Sequence, residues 1–139
     1  MTGYILVVDD QSAVRCMLVE FLKESGFRVK SASNGWDCLR ITRTIEKPML
    51  ILLDNQMPNL TGIEVLSILK NDSSTREIPV IMVSGTDNLE EIAKKHGACA
   101  VFTKPPNFNT LLQEIQEVMI GIQSKYKVNC QSWRENNQK

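Results

Sequence analysis

Met49-Leu50-Ile51-Leu52-Leu53-Asp54 runs directly into Asn55-Gln56-Met57-Pro58-Asn59-Leu60-Thr61-Gly62. Five consecutive apolar residues suit a strand buried on both faces, which is how the strands of a parallel sheet read. The run stops at a carboxylate and gives way to turn formers. A charge in mid-strand is costly, so Asp54 is expected at the strand's carboxyl end, where open α/β sheets place their ligands.

Working outward, Tyr4-Ile5-Leu6-Val7-Val8 is a second apolar run, closed by Asp9-Asp10. If these two strands are parallel neighbours, three carboxylates converge at one sheet edge. Each raises the others' pKa unless a cation offsets them. A hard cation with oxygen ligands answers that need, and Mg2+ fits best because it takes one or two carboxylates, keeps waters and accepts phosphate oxygens. Pro79-Val80-Ile81-Met82-Val83 delivers Ser84-Gly85, a hydroxyl beside a residue without a side chain. Ala98-Cys99-Ala100-Val101-Phe102-Thr103 delivers Lys104-Pro105, an ammonium able to meet an anion.

Carboxylates, hydroxyl and ammonium in this chain order resemble the receiver domain of two-component response regulators. The pattern covers roughly residues 3–123. An Asp after an apolar run is common by itself; four such strand ends with helical patterns between them are specific.

The helical patterns are these. Ser12 to Glu24 carries Val14, Met17, Leu18, Phe21 and Leu22 and ends at Ser25-Gly26. After an alternating strand from Phe27 to Ala32, Ser33 or Asn34 is placed to cap a helix running to about Glu46, although Trp36, Leu39, Ile41 and Ile45 share no single face well. Thr61-Gly62-Ile63-Glu64 has capping-box spacing, opening a helix to Lys70 that buries Val65, Leu66 and Leu69. Asp87 with Glu90 is expected to start a fourth helix ended by Gly97. Asn107 is expected to cap a fifth, striped by Phe108, Leu111, Leu112, Ile115, Val118, Met119 and Ile122. The expectation is an α/β chain, (βα)5, doubly wound around a parallel five-stranded sheet with helices on both faces. The resemblance supplies the strand order 2-1-3-4-5 of the flavodoxin/CheY-like fold.

Bulk composition agrees with one soluble domain. The 139 residues are 42% apolar and 23% charged, with 16 basic against 16 acidic side chains, so no basic face announces nucleic acid. No apolar stretch approaches membrane-spanning length and no signal peptide precedes the first strand, so a cytoplasmic location is expected. Four cysteines (Cys16, Cys38, Cys99, Cys130) lack metal-ligand or redox spacing, and the first three are expected as buried or half-buried free thiols. Residues 1–123 read as the receiver. Residues 124–139, with Lys125, Lys127, Arg134 and Lys139 against Glu135, read as a tail: a frayed end, a docking segment or a linker.

The resemblance also implies roles. Asp54 would accept a phosphoryl group from a histidine kinase or histidine phosphotransfer domain. Asp10 and Asp54 would ligate Mg2+ directly, Asp9 largely through water, and Gln56 through its main-chain carbonyl. Lys104 would bind a phosphoryl oxygen, its ammonium aimed inward by a cis Lys104-Pro105 bond. Pro106 departs from the family's usual apolar side chain there. Ser84 would donate to the phosphoryl group and Phe102 would change rotamer with it. Together they would switch the face built by the fourth helix, fifth strand and fifth helix toward a downstream protein target. Gln56 and Thr86 stand where receivers tune phosphoryl lifetime. The state would be a monomer or a phosphorylation-dependent dimer, with no direct nucleic-acid or membrane contact. Each residue has a blander reading. Asp54 could simply cap a turn, Asp9-Asp10 could favour a helix N-terminus, Lys104 could be solvated, and Phe102 could be core. His96 reads as a capping residue and the internal methionines as core filler.

Rival readings are a receiver cut from a longer regulator with a DNA-binding or enzymatic output domain, and a phosphorelay intermediate. A Mg-dependent haloacid-dehalogenase-type phosphatase also uses a strand-end Asp, but that class needs a second Asp where Gln56 stands. A phosphorylation-independent structural module would have lost acidic residues that are present here.

Overall fold

The computed structural model describes residues 3–123. Strands and helices alternate: β1 (Ile5–Val8), α1 (Ser12–Glu24), β2 (Val29–Ala32), α2 (Gly35–Thr42), β3 (Leu50–Leu53), α3 (Gly62–Lys70), β4 (Val80–Ser84), α4 (Leu89–Lys95), β5 (Ala100–Thr103) and α5 (Phe108–Gln123). All pairings are parallel and the strand order is β2-β1-β3-β4-β5.

Period-two alternation divides the apolar runs between two layers. Leu6, Val8, Ile51, Leu53, Val80 and Met82 pack with α2, α3 and α4. Ile5, Val7, Leu50, Leu52, Ile81 and Val83 pack with α1 and α5. That two-sided burial is why these strands read as unbroken apolar runs rather than as alternating ones. β2 lies at the sheet edge and is shorter than expected, and its burial does not alternate: Lys30 and Ser31 are both exposed, because an edge strand leaves parts of both its faces open to water.

Local signals start and stop the helices. Thr61 Oγ1 accepts from Glu64 N while Glu64 returns a carboxylate to Thr61 N at 2.9 Å, a full capping box. Asn34 caps α2 through Asp37 N, and Asn107 accepts from Thr110 N. Gly26 and Gly97 follow α1 and α4 at φ of +96° and +105°, which suits a residue without Cβ. His96 is the C-cap of α4, its ring Nδ1 donating to the Ile92 carbonyl.

Several expectations are corrected. α2 ends at Thr42, not near Glu46. There Thr42 and Thr44 hydroxyls bond back to the carbonyls of Leu39 and Ile41, and Lys47 Nζ caps the Thr42 carbonyl. Glu46 is drawn instead to Arg28 and Lys30. α4 opens at Asn88 in the left-handed region with no side-chain cap, so Asp87 does not start it. Cys16 is exposed, while Cys38 and Cys99 are buried. Met17 is 47% exposed, since α1 buries Leu18 and Leu22 and leaves Met17 outside that stripe. The expectations for Cys130 and for residues 124–139 fall outside the described residues.

Candidate functional site

Strand register builds the site. Val8 pairs with Leu53, so the next residues, Asp9 and Asp54, leave the sheet side by side. Main-chain bonds hold both exits, Asp54 N to Val8 O at 3.0 Å and Asp9 N to Ala32 O at 3.2 Å. On the other side Ser84 pairs with Thr103, and Lys104 N donates to Ser84 O at 3.1 Å. Alternation carries Asp9, Asp54 and Lys104 on the parity of Val7, Leu52 and Phe102, the face packed on α1 and α5. Ser84 continues the parity of Val80 and Met82, on the opposite face.

Close packing behind Asp54 depends on Gly62. A Cβ there would lie 2.2 Å from the Asp54 carbonyl oxygen, so α3 can begin against this loop only with a glycine.

The four charges meet. Lys104 Nζ lies 2.7 Å from Asp9 Oδ2 and 3.3 Å from Asp54 Oδ2, and it donates to Gln11 Oε1 at 3.3 Å. Asp9 and Asp54 are 1% and 3% exposed, whereas Asp10 is exposed. One oxygen from each of Asp9, Asp10 and Asp54 falls within 4.8 Å of the others. Burial pushes the Asp54 carboxyl above its ordinary range, and Asp9 adds to the rise; Lys104 and the Gln56 N–H oppose it. Among the described residues one ammonium, that of Lys104, contacts this cluster of three carboxylates. That donor set of hard oxygens, two buried and one open to solvent, fits a divalent cation.

Further contacts involve residues without an assigned role at the sequence level. Arg15 Nη1 donates to the Asp9 carbonyl at 2.7 Å, and Gln11 N donates to Asp9 Oδ1 at 2.9 Å. Asn55 bridges α3 and Thr86. Their signal was available only as position, one or a few residues beyond the strand-end acids. Gln56 N donates to Asp54 Oδ1 at 3.3 Å, and its side chain faces Gly85 across the site.

Ser84 is 1% exposed. Its Oγ donates to Thr86 Oγ1 at 3.1 Å and accepts from Thr86 N at 3.2 Å. Phe102 is half-buried against the α1–α5 layer. The Lys104-Pro105 peptide is cis, as expected.

Comparison with known proteins agrees with this geometry. Residues 5–116 match the family described as the response regulator receiver domain. Protein PilH of Pseudomonas aeruginosa is 37% identical over 119 residues, spanning 84% of this chain and 98% of that protein. Sporulation initiation phosphotransferase F of Bacillus subtilis is 30% identical over 119 residues, 86% of this chain and 95% of that one. Among solved structures, the signal receiver domain of a signal transduction histidine kinase from Syntrophus aciditrophicus superposes with a TM-score of 0.80 at 26% identity, covering 91% of this chain and 97% of that one. With five parallel strands in the order 2-1-3-4-5 and an acid cluster at their carboxyl edge, the chain belongs to the response regulator receiver domain family of two-component systems.

Proposed function

We propose that this receiver takes a phosphoryl group on Asp54 from a histidine kinase or histidine phosphotransfer domain and passes the signal by protein contact. The observation that carries the reading is Lys104 Nζ, held between Asp9 and Asp54 at the rim where Asp10 also reaches.

In the proposed step an Asp54 carboxylate oxygen attacks the donor's phosphorus in line. The P–N bond to the donor histidine breaks and its electron pair returns to the imidazole nitrogen. Lys104 already stands beside the attacking oxygen and is placed to take the charge that develops on the phosphoryl oxygens. Asp9, Asp10, Asp54 and the Gln56 main-chain carbonyl would hold Mg2+. The bound ion would neutralise phosphoryl oxygens and hold them against Asp54. The Gln11 N–H holds the Asp9 carboxylate, and Arg15 holds the Asp9 main-chain carbonyl.

Once the phosphoryl group is present, Ser84 would exchange its bond to Thr86 for one to a phosphoryl oxygen. Phe102 would follow, favouring one arrangement of the α4-β5-α5 face for a downstream protein. Residues 1–123 would form this signalling unit, in the cytoplasm, as a monomer or a dimer formed on phosphorylation. The activity proposed is limited to the receiver's own phosphorylation and its reversal.

Acetyl phosphate with Mg2+, followed by intact mass, tests the assignment. The expected result is a gain of one phosphoryl group that disappears in Asp54→Asn. A parent that binds Mg2+ but gains no mass would remove it.

A further inference from the structure

Asn55 follows the proposed acceptor, yet its side chain faces away from the acid cluster. Its Oδ1 accepts from Ile63 N at 3.0 Å, satisfying a free N–H in the first turn of α3. Only the carbonyl oxygen of the amide can face that N–H, so the NH2 group must face the other way. There Nδ2 donates to Thr86 Oγ1 at 3.4 Å. The same Thr86 Oγ1 receives the hydroxyl proton of Ser84 at 3.1 Å. A continuous chain thus runs from the α3 backbone through Asn55 and Thr86 to the Ser84 hydroxyl. Its fixed end is anchored by the capping box and by the close seat of Gly62. Its free end is the group whose proton the proposed phosphoryl group would need.

We infer that Asn55 is a positioning residue: through Thr86 it holds Ser84 in the arrangement that cannot donate to a phosphoryl group, and so sets how readily Asp54 is phosphorylated. The inference rests on the function proposed above. A hydrogen bond to an interior hydroxyl shifts a two-state equilibrium several-fold. The 3.4 Å Asn55–Thr86 contact is at the long end for such a bond, so its share of the hold is the smaller one. When only a fraction of molecules is competent, the observed rate scales with that fraction.

The test measures initial rates of phosphoryl gain from acetyl phosphate and Mg2+ by intact mass. Thr86→Val keeps the side-chain shape, removes the acceptor of both bonds, and leaves the Asn55 cap on α3 intact. It is expected to raise the rate about fivefold, the factor for one neutral hydrogen bond. Asn55→Ala is expected to raise it about two- to threefold in the parent and to add nothing in the Thr86→Val background. Loss of the α3 cap would lower thermal stability in both backgrounds, so a purely structural role would not give rate effects that vanish in one of them. An unchanged or slower rate in Thr86→Val overturns the inference, whether or not Asn55→Ala folds. So does an Asn55→Ala effect that multiplies independently with Thr86→Val. A parent that gains no phosphoryl group removes this inference together with the proposed function. A parent that does gain one, with both variants at its rate, removes this inference alone.

Discussion

Two carboxylate–cation clusters in this molecule use the same chemistry and differ in burial. Near the entry of β1 and β2, Glu46 meets Arg28 and Lys30, each at 3.1 Å, and all three side chains are about half exposed. At the exit of β1 and β3, Lys104 meets Asp9 and Asp54 with both acids almost fully buried. The two sites push carboxyl pKa in opposite directions. Hydrogen bonds from Lys30 and then Arg28 hold Glu46 below its ordinary range, because water still solvates the carboxylate. Burial lifts Asp54 above its range despite a neighbouring ammonium, and Asp9 adds to it. The surface cluster ties α2's exit loop to the sheet edge. The buried one sets an ammonium against carboxylates withdrawn from water, the balance that the proposed cation and phosphoryl group would change.

The largest expected difference comes from deleting a cation. Lys104→Met leaves two buried carboxylates uncompensated and is expected to cost about 3 kcal/mol in urea unfolding at neutral pH. An unchanged midpoint would show that the buried cluster behaves like a surface one. Adding Mg2+ should stabilise the parent by about 1.4 kcal/mol at a tenfold excess over its Kd, and far less when Asp54 is replaced by Asn. A stabilisation equal in parent and Asp54→Asn would place the cation elsewhere.

The pH response is a subtler contrast. A carboxyl whose folded pKa is raised binds more protons folded than unfolded in the window just above the ordinary Asp range. Without metal, Asp54 therefore lowers stability as pH rises through that window, from about pH 4 upward, and the penalty is complete above it. Asp54→Asn is expected to raise the metal-free urea midpoint at neutral pH and to flatten that slope. Glu46 has the opposite sign: its contribution is present above the ordinary Glu range and lost as pH falls below it. Being exposed, Glu46→Gln is expected to leave the midpoint within measurement error, and salt should erase any residue of an effect. A loss comparable to that of Lys104→Met would break the comparison.

The strands were legible because burial on both faces demands unbroken apolar runs, and the acids were legible because a charge can only end such a run. Register then turned adjacency in the sheet into adjacency of Asp9 and Asp54. What could not be read depends on pairings distant in sequence. Glu46 leaves the helical pattern because Arg28 and Lys30 lie across from it, 18 and 16 residues away. Cys16 and Met17 sit in a helix whose buried stripe is narrower than its apolar content suggests. Asn55 was legible as a turn former only; its partners are the α3 backbone and Thr86, the latter 31 residues on.

The most direct measurement locates the phosphoryl bond itself. Protein treated with acetyl phosphate and Mg2+, then reduced with borohydride and digested, carries homoserine wherever an aspartyl phosphate stood. The expected product has that conversion at residue 54 alone. Conversion at residue 9 or 10, or a stable phosphate on a hydroxyl residue with residue 54 untouched, would contradict Asp54 as the acceptor.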